Sequence, residues 1–124
     1  MYQKKIKEDI RCPLEYGLSV FGGKWKSRII CVLAGKKKLR YSEIRKEMCN
    51  ITDAVLASTL KGLIKDGIVK RKSYDEIPPR VEYSLTKKGE SVVPILQNIC
   101  SWSDAFYREE NEHTLTQCQK CDHR

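Results

Sequence analysis

The chain has 124 residues, of which 40% are hydrophobic and 32% are charged, and it carries a formal net charge of +8. This length predicts one domain that can build a modest core without covalent staples. No apolar run approaches the roughly 18 residues that a membrane span requires, and residues 1–11 lack the apolar centre of a signal peptide. These features exclude a membrane-spanning helix and predict a cytoplasmic protein.

The positive charge is concentrated in two stretches of the chain. Residues 24–46 contain nine lysines and arginines against one glutamate, and residues 61–90 contain eight cations and five anions. Segregated positive charge raises the local potential and suits a polyanionic partner. Charged residues that solvate helix faces would give the same composition.

Six cysteines are present. Because the cytoplasm keeps thiols reduced, we interpret them as candidates for redox sensing, metal binding or packing rather than as a disulfide framework. Cys12 precedes a proline near the N-terminus, and Cys49 lies at a predicted helix end. Cys118 and Cys121 form a Cys-x-x-Cys motif in a polar tail.

The chain begins with two predicted helices. Cys12-Pro13 opens the first helix, because proline is well placed in a first helical turn, and Gly22-Gly23 ends it. The second helix is predicted over residues 24–34, where apolar side chains recur at helical spacing. Gly35 is its predicted stop.

A basic connection and a short helix come next. Residues 36–40 are mostly cationic and have room for one small strand. A third helix is predicted over residues 41–48, around Ile44 and Met48. The turn that follows offers Asn50 for a left-handed backbone conformation.

A fourth helix is predicted, with Thr52 or Asp53 as its cap and Gly67 at its end. Its core stripe consists of Leu56, Leu60, Leu63 and Ile64, and its opposite face consists of Ala54, Ala57, Ser58 and Lys61. A helix that enters the major groove needs such a low-profile face, with polar groups that touch base edges and phosphates. A solvent-exposed helix with alanines for helix propensity would show the same pattern.

A basic hairpin follows the fourth helix. A cationic run over residues 67–72 leads to a turn at Pro78-Pro79, because proline cannot donate a ladder hydrogen bond. The next strand alternates, which predicts a core face with Val81, Tyr83 and Leu85 and a free face with Arg80, Glu82 and Ser84. The hairpin is either a polyanion-binding element or an ordinary solvated edge.

The last helix is predicted over residues 87–110, with Pro94 near its first turns. Its apolar stripe consists of Val92, Ile95, Leu96, Ile99, Trp102 and Phe106. A domain of this size has little core left to cover such a stripe, so we interpret the helix as a dimerisation element. Packing within one chain is the alternative.

Five segments of the chain match a known pattern. They are Cys12-Pro13, residues 22–25, residues 41–44, the pattern Leu60-x-x-Leu63-x-x-Asp66-Gly67, and residues 78–86 with Gly89. Together they resemble the HxlR family of bacterial winged-helix transcriptional regulators, which is related to the MarR type. The resemblance covers residues 12–107.

The resemblance implies a mainly α fold with a small β-hairpin, which is a winged helix-turn-helix with N- and C-terminal dimerisation helices. In this division, residues 1–11 are a flexible N-terminal segment. Residues 12–110 are the HxlR-type domain with its dimer helix, and residues 111–124 are a polar tail.

The resemblance also implies a homodimeric repressor that binds a roughly palindromic double-stranded DNA operator, without catalysis or a cofactor. The implied recognition face consists of Thr52, Asp53, Ala54, Ala57, Ser58 and Lys61. The implied phosphate contacts are Lys24, Lys26, Lys37, Lys38 and Arg40, and those of the wing are Lys72 and Arg80. Asp53 would repel phosphate unless it caps its helix or accepts from a cytosine amino group.

A small molecule or an oxidant is a candidate signal for such a regulator. Some members of the family sense oxidants or electrophiles through a cysteine at the position of Cys12, and a thiol at a helix N-terminus gains thiolate character. Cys49 of the partner subunit is a candidate second thiol. The alternative is that Cys12 simply packs under the first helix.

Two other classes of function stay open at this point. Cys118, Cys121 and His123, with His113 upstream, have the donor types of a zinc site, so a thiol or zinc-binding protein is one alternative. A disordered tail without metal explains the same residues. A winged helix that serves only protein contacts is the second alternative.

Overall fold

The computed structural model describes residues 10–107 and confirms the mainly α architecture with one small hairpin. The helices are α1 (Pro13–Phe21), α2 (Lys26–Lys36), α3 (Tyr41–Met48), α4 (Asp53–Lys65) and α5 (Lys87–Asp104). Between α4 and α5 lie the antiparallel strands β1 (Val69–Tyr74) and β2 (Arg80–Leu85). Within the described residues, none of the helices is both long enough and apolar enough to cross a membrane.

Helix α2 lies at the centre of the core. Its residues Ile29, Ile30, Val32 and Leu33 are completely buried, and the helix contacts α1, α3, α4, α5 and β2. Burial of each such side chain contributes about 1.5–3 kcal/mol. The other helices and β2 are therefore positioned by their packing on one helix.

Helices α2 and α3 end in the same kind of turn. Lys37 has φ 73° and ψ −60°, and Cys49 has φ 69° and ψ −65°. In each case the amide of the following residue donates to the carbonyl oxygen of the preceding residue, which defines a strained γ-turn. The predicted stop at Gly35 is wrong, because α2 continues through it, and the left-handed residue after α3 is Cys49 rather than Asn50.

The hairpin pairs Val69 with Leu85 at its base and Tyr74 with Arg80 at its tip. The connection between α2 and α3 adds a single bridge, in which Leu39 and Tyr83 exchange hydrogen bonds of 3.1 and 2.8 Å. The small strand for which the sequence left room is thus reduced to one residue. The face with Arg80, Glu82 and Ser84 is half-buried, not free as predicted.

Helix α5 begins after Thr86, whose hydroxyl accepts from the amide of Gly89 at 3.0 Å. Pro94 lies inside the helix rather than in its first turn, and it removes the amide that would bond to Glu90. The helix ends at Asp104, earlier than the predicted residue 110. Val92 and Leu96 reach the core, whereas Ile95, Ile99 and Trp102 are exposed.

Gly89 permits the closest approach between α5 and the hairpin. A Cβ atom at this position would overlap the carbonyl oxygen of Ile68 and would lie 3.2 Å from Cδ2 of Leu85. Gly62 in α4 is also helical, but a Cβ atom there would meet nothing within 4 Å. An added methyl group would therefore meet a steric clash at Gly89 but not at Gly62.

We expect Gly89→Ala to lower the free energy of unfolding by about 1–3 kcal/mol, because α5 must move away from Ile68. Gly62→Ala is the matched control, and we expect it to raise stability by about 0.5–1 kcal/mol through its higher helix propensity. Urea unfolding followed by circular dichroism measures both. Equal effects of the two substitutions would contradict the close packing at Gly89.

Candidate nucleic-acid interface

Helices α3 and α4 are joined by a tight turn over residues 49–52. Ile44, Met48 and Ile51 are buried, so the turn is anchored to the core from both sides. The Thr52 hydroxyl accepts from the amide of Val55 at 3.2 Å, which caps α4. The prediction that Thr52 or Asp53 caps this helix is confirmed for Thr52.

Helix α4 has two faces of different size and polarity. Leu56, Leu60 and Leu63 are at most 2% exposed and hold the helix on the core. The opposite face is exposed and consists of Ala54, Ala57, Ser58 and Lys61. Between Asp53 and Lys61, no side chain on that face is longer than serine, so another molecule can approach the helix backbone closely.

Asp53 is paired inside the helix-turn-helix. Arg45 Nε lies 3.1 Å from Asp53 Oδ1, and the Tyr41 hydroxyl donates to the Asp53 carbonyl oxygen at 3.1 Å. Burial, followed by the charge of the Asp53 carboxylate and the hydrogen bond that the Tyr41 hydroxyl donates to this carboxylate, raises the pKa of Tyr41 above its usual value. Both partners project from α3 toward the first turn of α4, so they fix the angle between the two helices.

Sequence reasoning missed Tyr41 and Arg45 as parts of this site. Their spacing of four residues places them on one face of α3, which was the available signal. This spacing alone does not identify Asp53 as the partner, because Asp53 reaches that face only through the turn between the two helices.

The tip of the hairpin is braced by Arg80. Its guanidinium donates to Glu76 at 2.9 Å and to Glu82 at 3.0 Å, and it lies 3.8 Å from the ring centre of Tyr74. The hydrogen bond to Glu76 raises the pKa of Arg80 further above its usual range. The Tyr74 hydroxyl donates to Glu82 at 3.0 Å. Arg80 is consequently an internal brace whose side chain remains 28% exposed.

The other cations differ in how they are held. Lys72 is exposed on β1, with Nζ 5.0 Å from the Tyr74 ring centre. Lys26 donates to the carbonyl of Ser19 at 2.9 Å, and Lys24 lies over the ring of Trp25. The remaining candidates, Lys37, Lys38 and Arg40, are exposed in the connection between α2 and α3.

The two thiols proposed for sensing are both exposed. Cys12 is the N-cap residue of α1, and its carbonyl accepts from the amides of Glu15 and Tyr16. Cys49 Sγ lies 3.7 Å from the carbonyl oxygen of Lys46. Within residues 10–107, no cluster of three or more His, Cys, Asp or Glu side chains could hold a metal.

The weak metal candidates of the tail lie outside the described residues. They are Cys118, Cys121 and His123.

Helices α1 and α5 carry an exposed apolar surface. Its members are Leu14 and Leu18 on α1, Ile95, Ile99 and Trp102 on α5, and Phe106 and Tyr107 beyond it. The rings of Trp102 and Phe106 lie 5.3 Å apart. We call these seven residues the apolar face.

A single lysine ties α1 and α5 to the end of α4. Lys88 Nζ donates to the Tyr16 hydroxyl at 2.9 Å and to the carbonyl of Asp66 at 2.9 Å. Asp66 is the C-cap residue of α4. The small-faced helix is therefore held at its first turn by α3 and at its last turn by α5.

A short helix, a tight turn, a small-faced helix and a basic hairpin in this order define a winged helix-turn-helix, the fold of DNA-binding transcriptional regulators. Residues 20–111 match the family described as HxlR-like helix-turn-helix. The chain belongs to this family.

Relatives and solved structures agree with this assignment. The chain is 46% identical over 101 residues to the HTH-type transcriptional regulator BH0655 of Halalkalibacterium halodurans, with 82% of this chain and 89% of that protein covered. The crystal structure of the HTH-type transcriptional regulator ytcD matches with a TM-score of 0.75 at 36% identity, over 80% of this chain and all of that one.

Two further structures are of regulators with redox forms. The redox regulator HypR in its oxidised form matches with a TM-score of 0.71 at 38% identity, over 77% of this chain and 98% of that chain. The reduced form of the transcriptional regulator YodB from B. subtilis matches with a TM-score of 0.72 at 33% identity, over 82% and 100% of the two chains. This chain is thus a DNA-binding transcriptional regulator.

We expect Tyr41→Phe to lower the free energy of unfolding by about 1 kcal/mol at neutral pH, because one hydrogen bond to the start of α4 is lost. The folded state holds the phenol proton more tightly than the unfolded chain does. The stability due to Tyr41 is therefore complete below pH 10 and is lost as the pH rises through the raised pKa.

Urea unfolding at pH 7 to 11 tests this expectation. The difference between the wild type and Tyr41→Phe should narrow above pH 10. A constant difference across this range would contradict the role of the Tyr41 hydroxyl.

Proposed function

We propose that the chain is a homodimeric repressor that binds a roughly palindromic operator. In this proposal, the α4 helices of the two protomers enter successive major grooves, and the hairpins lie beside them as wings. The observation that carries the proposal is the exposed small face of α4 opposite a fully buried leucine stripe. A dimer on an operator that overlaps a promoter represses by excluding the polymerase, without any further contact.

The proposed contacts divide into base reading and backbone positioning. Base edges are read by the small-faced helix through Thr52, Asp53, Ala54, Ala57, Ser58 and Lys61. Phosphates are contacted by Lys24, Lys26, Lys37, Lys38 and Arg40, and on the wing by Lys72 and Arg80. Pairing with Arg45 reduces the repulsion between Asp53 and phosphate, which supports its place at the start of a DNA-reading helix.

The wing cations are proposed to strengthen and orient binding rather than to read sequence. Lys72 is exposed and free to reach a phosphate. Arg80 is held by two glutamates. It therefore contacts a phosphate from a fixed position at the hairpin tip.

We expect operator affinity to fall steeply with salt, because each phosphate contact releases condensed counterions. Lys72→Gln should reduce the slope of log K against log salt by about 0.9 for each protomer. Lys87→Gln changes charge equally on a residue outside the proposed contacts and is the control. Fluorescence anisotropy with DNA upstream of the gene and its neighbours measures both slopes.

Two results would count against operator binding as proposed. Salt-independent affinity would contradict the phosphate contacts. Full function of a Lys72→Gln, Arg80→Gln double variant would favour a winged helix that serves protein contacts instead.

The apolar face supports the homodimer. Leu14 and Trp102 are each 68% exposed, and Leu18, Ile95 and Ile99 are exposed as well. An apolar surface of this kind on a single protomer indicates a protein contact. Because an operator palindrome requires a second copy of the same chain, we propose that the second copy covers it.

We expect Ile99→Glu to dissociate the dimer, because it places a charge within the apolar face. Ile77→Glu is the matched control, since Ile77 is completely exposed at the turn of the hairpin. Sedimentation equilibrium should give a monomer for the first variant and a dimer for the second. A dimeric Ile99→Glu protein would show that another surface forms the interface.

We also propose that the regulator responds to oxidants through Cys12. The thiol is exposed at the N-terminus of a helix that belongs to the proposed dimer interface. HypR is described as a redox regulator with oxidised and reduced structures, and YodB has been solved after diamide treatment. Two thiols, Cys12 and the partner subunit's Cys49, would lose two protons and two electrons to diamide and form an intersubunit disulfide.

We expect Cys12→Ser to bind the operator normally and to keep binding after diamide treatment, whereas the wild type loses affinity. Cys31→Ser, at a half-buried position on α2, is the control and should respond as the wild type does. Anisotropy and non-reducing gels report binding and cross-linking together. A Cys12→Ser protein that still responds to diamide would remove Cys12 from the sensor.

A further inference from the structure

An open groove of about 450 Å³ lies between the end of α2, the base of the hairpin and the first half of α5. We call it the basal groove. Its apolar lining comes from three different elements through Leu33, Leu85 and Val93. Its lining includes no residue of the apolar face and neither proposed sensor thiol.

The polar lining of the basal groove is strongly cationic. Lys37, Lys38 and Lys70 line it together with one carboxylate, Glu90. All three lysines are exposed, and no hydrogen bond or ion pair joins their ammonium groups to any residue of the part that the structure describes. Three unpaired ammonium groups beside one carboxylate leave an excess of positive charge over an apolar floor.

The fold brings these lysines together from distant positions in the chain. The γ-turn at Lys37 ends α2 and reverses the chain beside the hairpin. Lys70 is paired with Ser84 in the ladder, so both side chains stand on the same face of the hairpin base.

We propose that the basal groove binds a small carboxylate with an apolar body. The apolar part lies against Leu85 and Val93, and the carboxylate is held by the lysine ammonium groups. The volume falls in the range of small-molecule sites, which combine apolar walls with a few polar groups. Glu90 disfavours polyanions, because additional negative charge would approach its carboxylate.

This site suggests how a small molecule would act on the regulator. Lys37 and Lys38 are also phosphate contacts in the proposed function, so a bound carboxylate would compete with DNA for the same charges. That consequence rests on the proposed function, whereas binding in the groove does not.

The test titrates benzoate into the full-length protein without DNA and follows the methyl resonances of Leu33, Leu85 and Val93 by NMR. Benzamide, which has the same ring without the charge, is the matched ligand. We expect saturable shifts with benzoate and at least about fivefold weaker binding of benzamide, the factor that one charge at 4 Å contributes in water.

Two surface variants distinguish charge recognition from a structural effect. Lys70→Gln should weaken benzoate binding by about fivefold, and Glu90→Gln should strengthen it by about the same factor. Neither residue is among the proposed DNA contacts, so failure here is separate from failure of operator binding. Shifts that do not saturate, equal binding of benzamide, or variants that both weaken binding would overturn the proposal.

Discussion

The burial of α2 positions the other helices and strand β2. Four of its side chains are completely enclosed, and the helix contacts all other helices and β2. The small-faced helix α4 is consequently fixed by its leucine stripe on a rigid support, rather than by its own helix propensity. A reading surface that is built on such a support keeps its geometry when the exposed side chains change.

The parts of the fold with strong periodicity could be predicted from the sequence. The leucine stripe of α4 and its small opposite face follow directly from the spacing of the residues, and Thr52 is a strong capping residue. The ends of α2 and α3 could not be predicted, because Lys37 and Cys49 adopt a strained turn that no local preference favours.

The candidate site could be predicted only in part from the sequence, because the partners of its charged residues also depend on tertiary packing. The charge of Lys72 follows from the sequence, but the partners of Asp53 and Arg80 depend on which elements pack together. Arg45 meets Asp53 across the turn, and Glu76 meets Arg80 across the hairpin tip. In the sequence, Asp53 and Arg80 each look available to a ligand. In the fold, each already has an oppositely charged partner.

The bracing of the hairpin lowers the entropy that is lost on association. Glu76, Arg80, Glu82 and Tyr74 are linked by hydrogen bonds and ring contact before any partner arrives. Side chains that are ordered in the free protein do not lose rotamer freedom a second time on association. The hairpin tip therefore meets its partner as a preorganised surface, and adaptation falls to the exposed lysines of β1, Lys70 and Lys72.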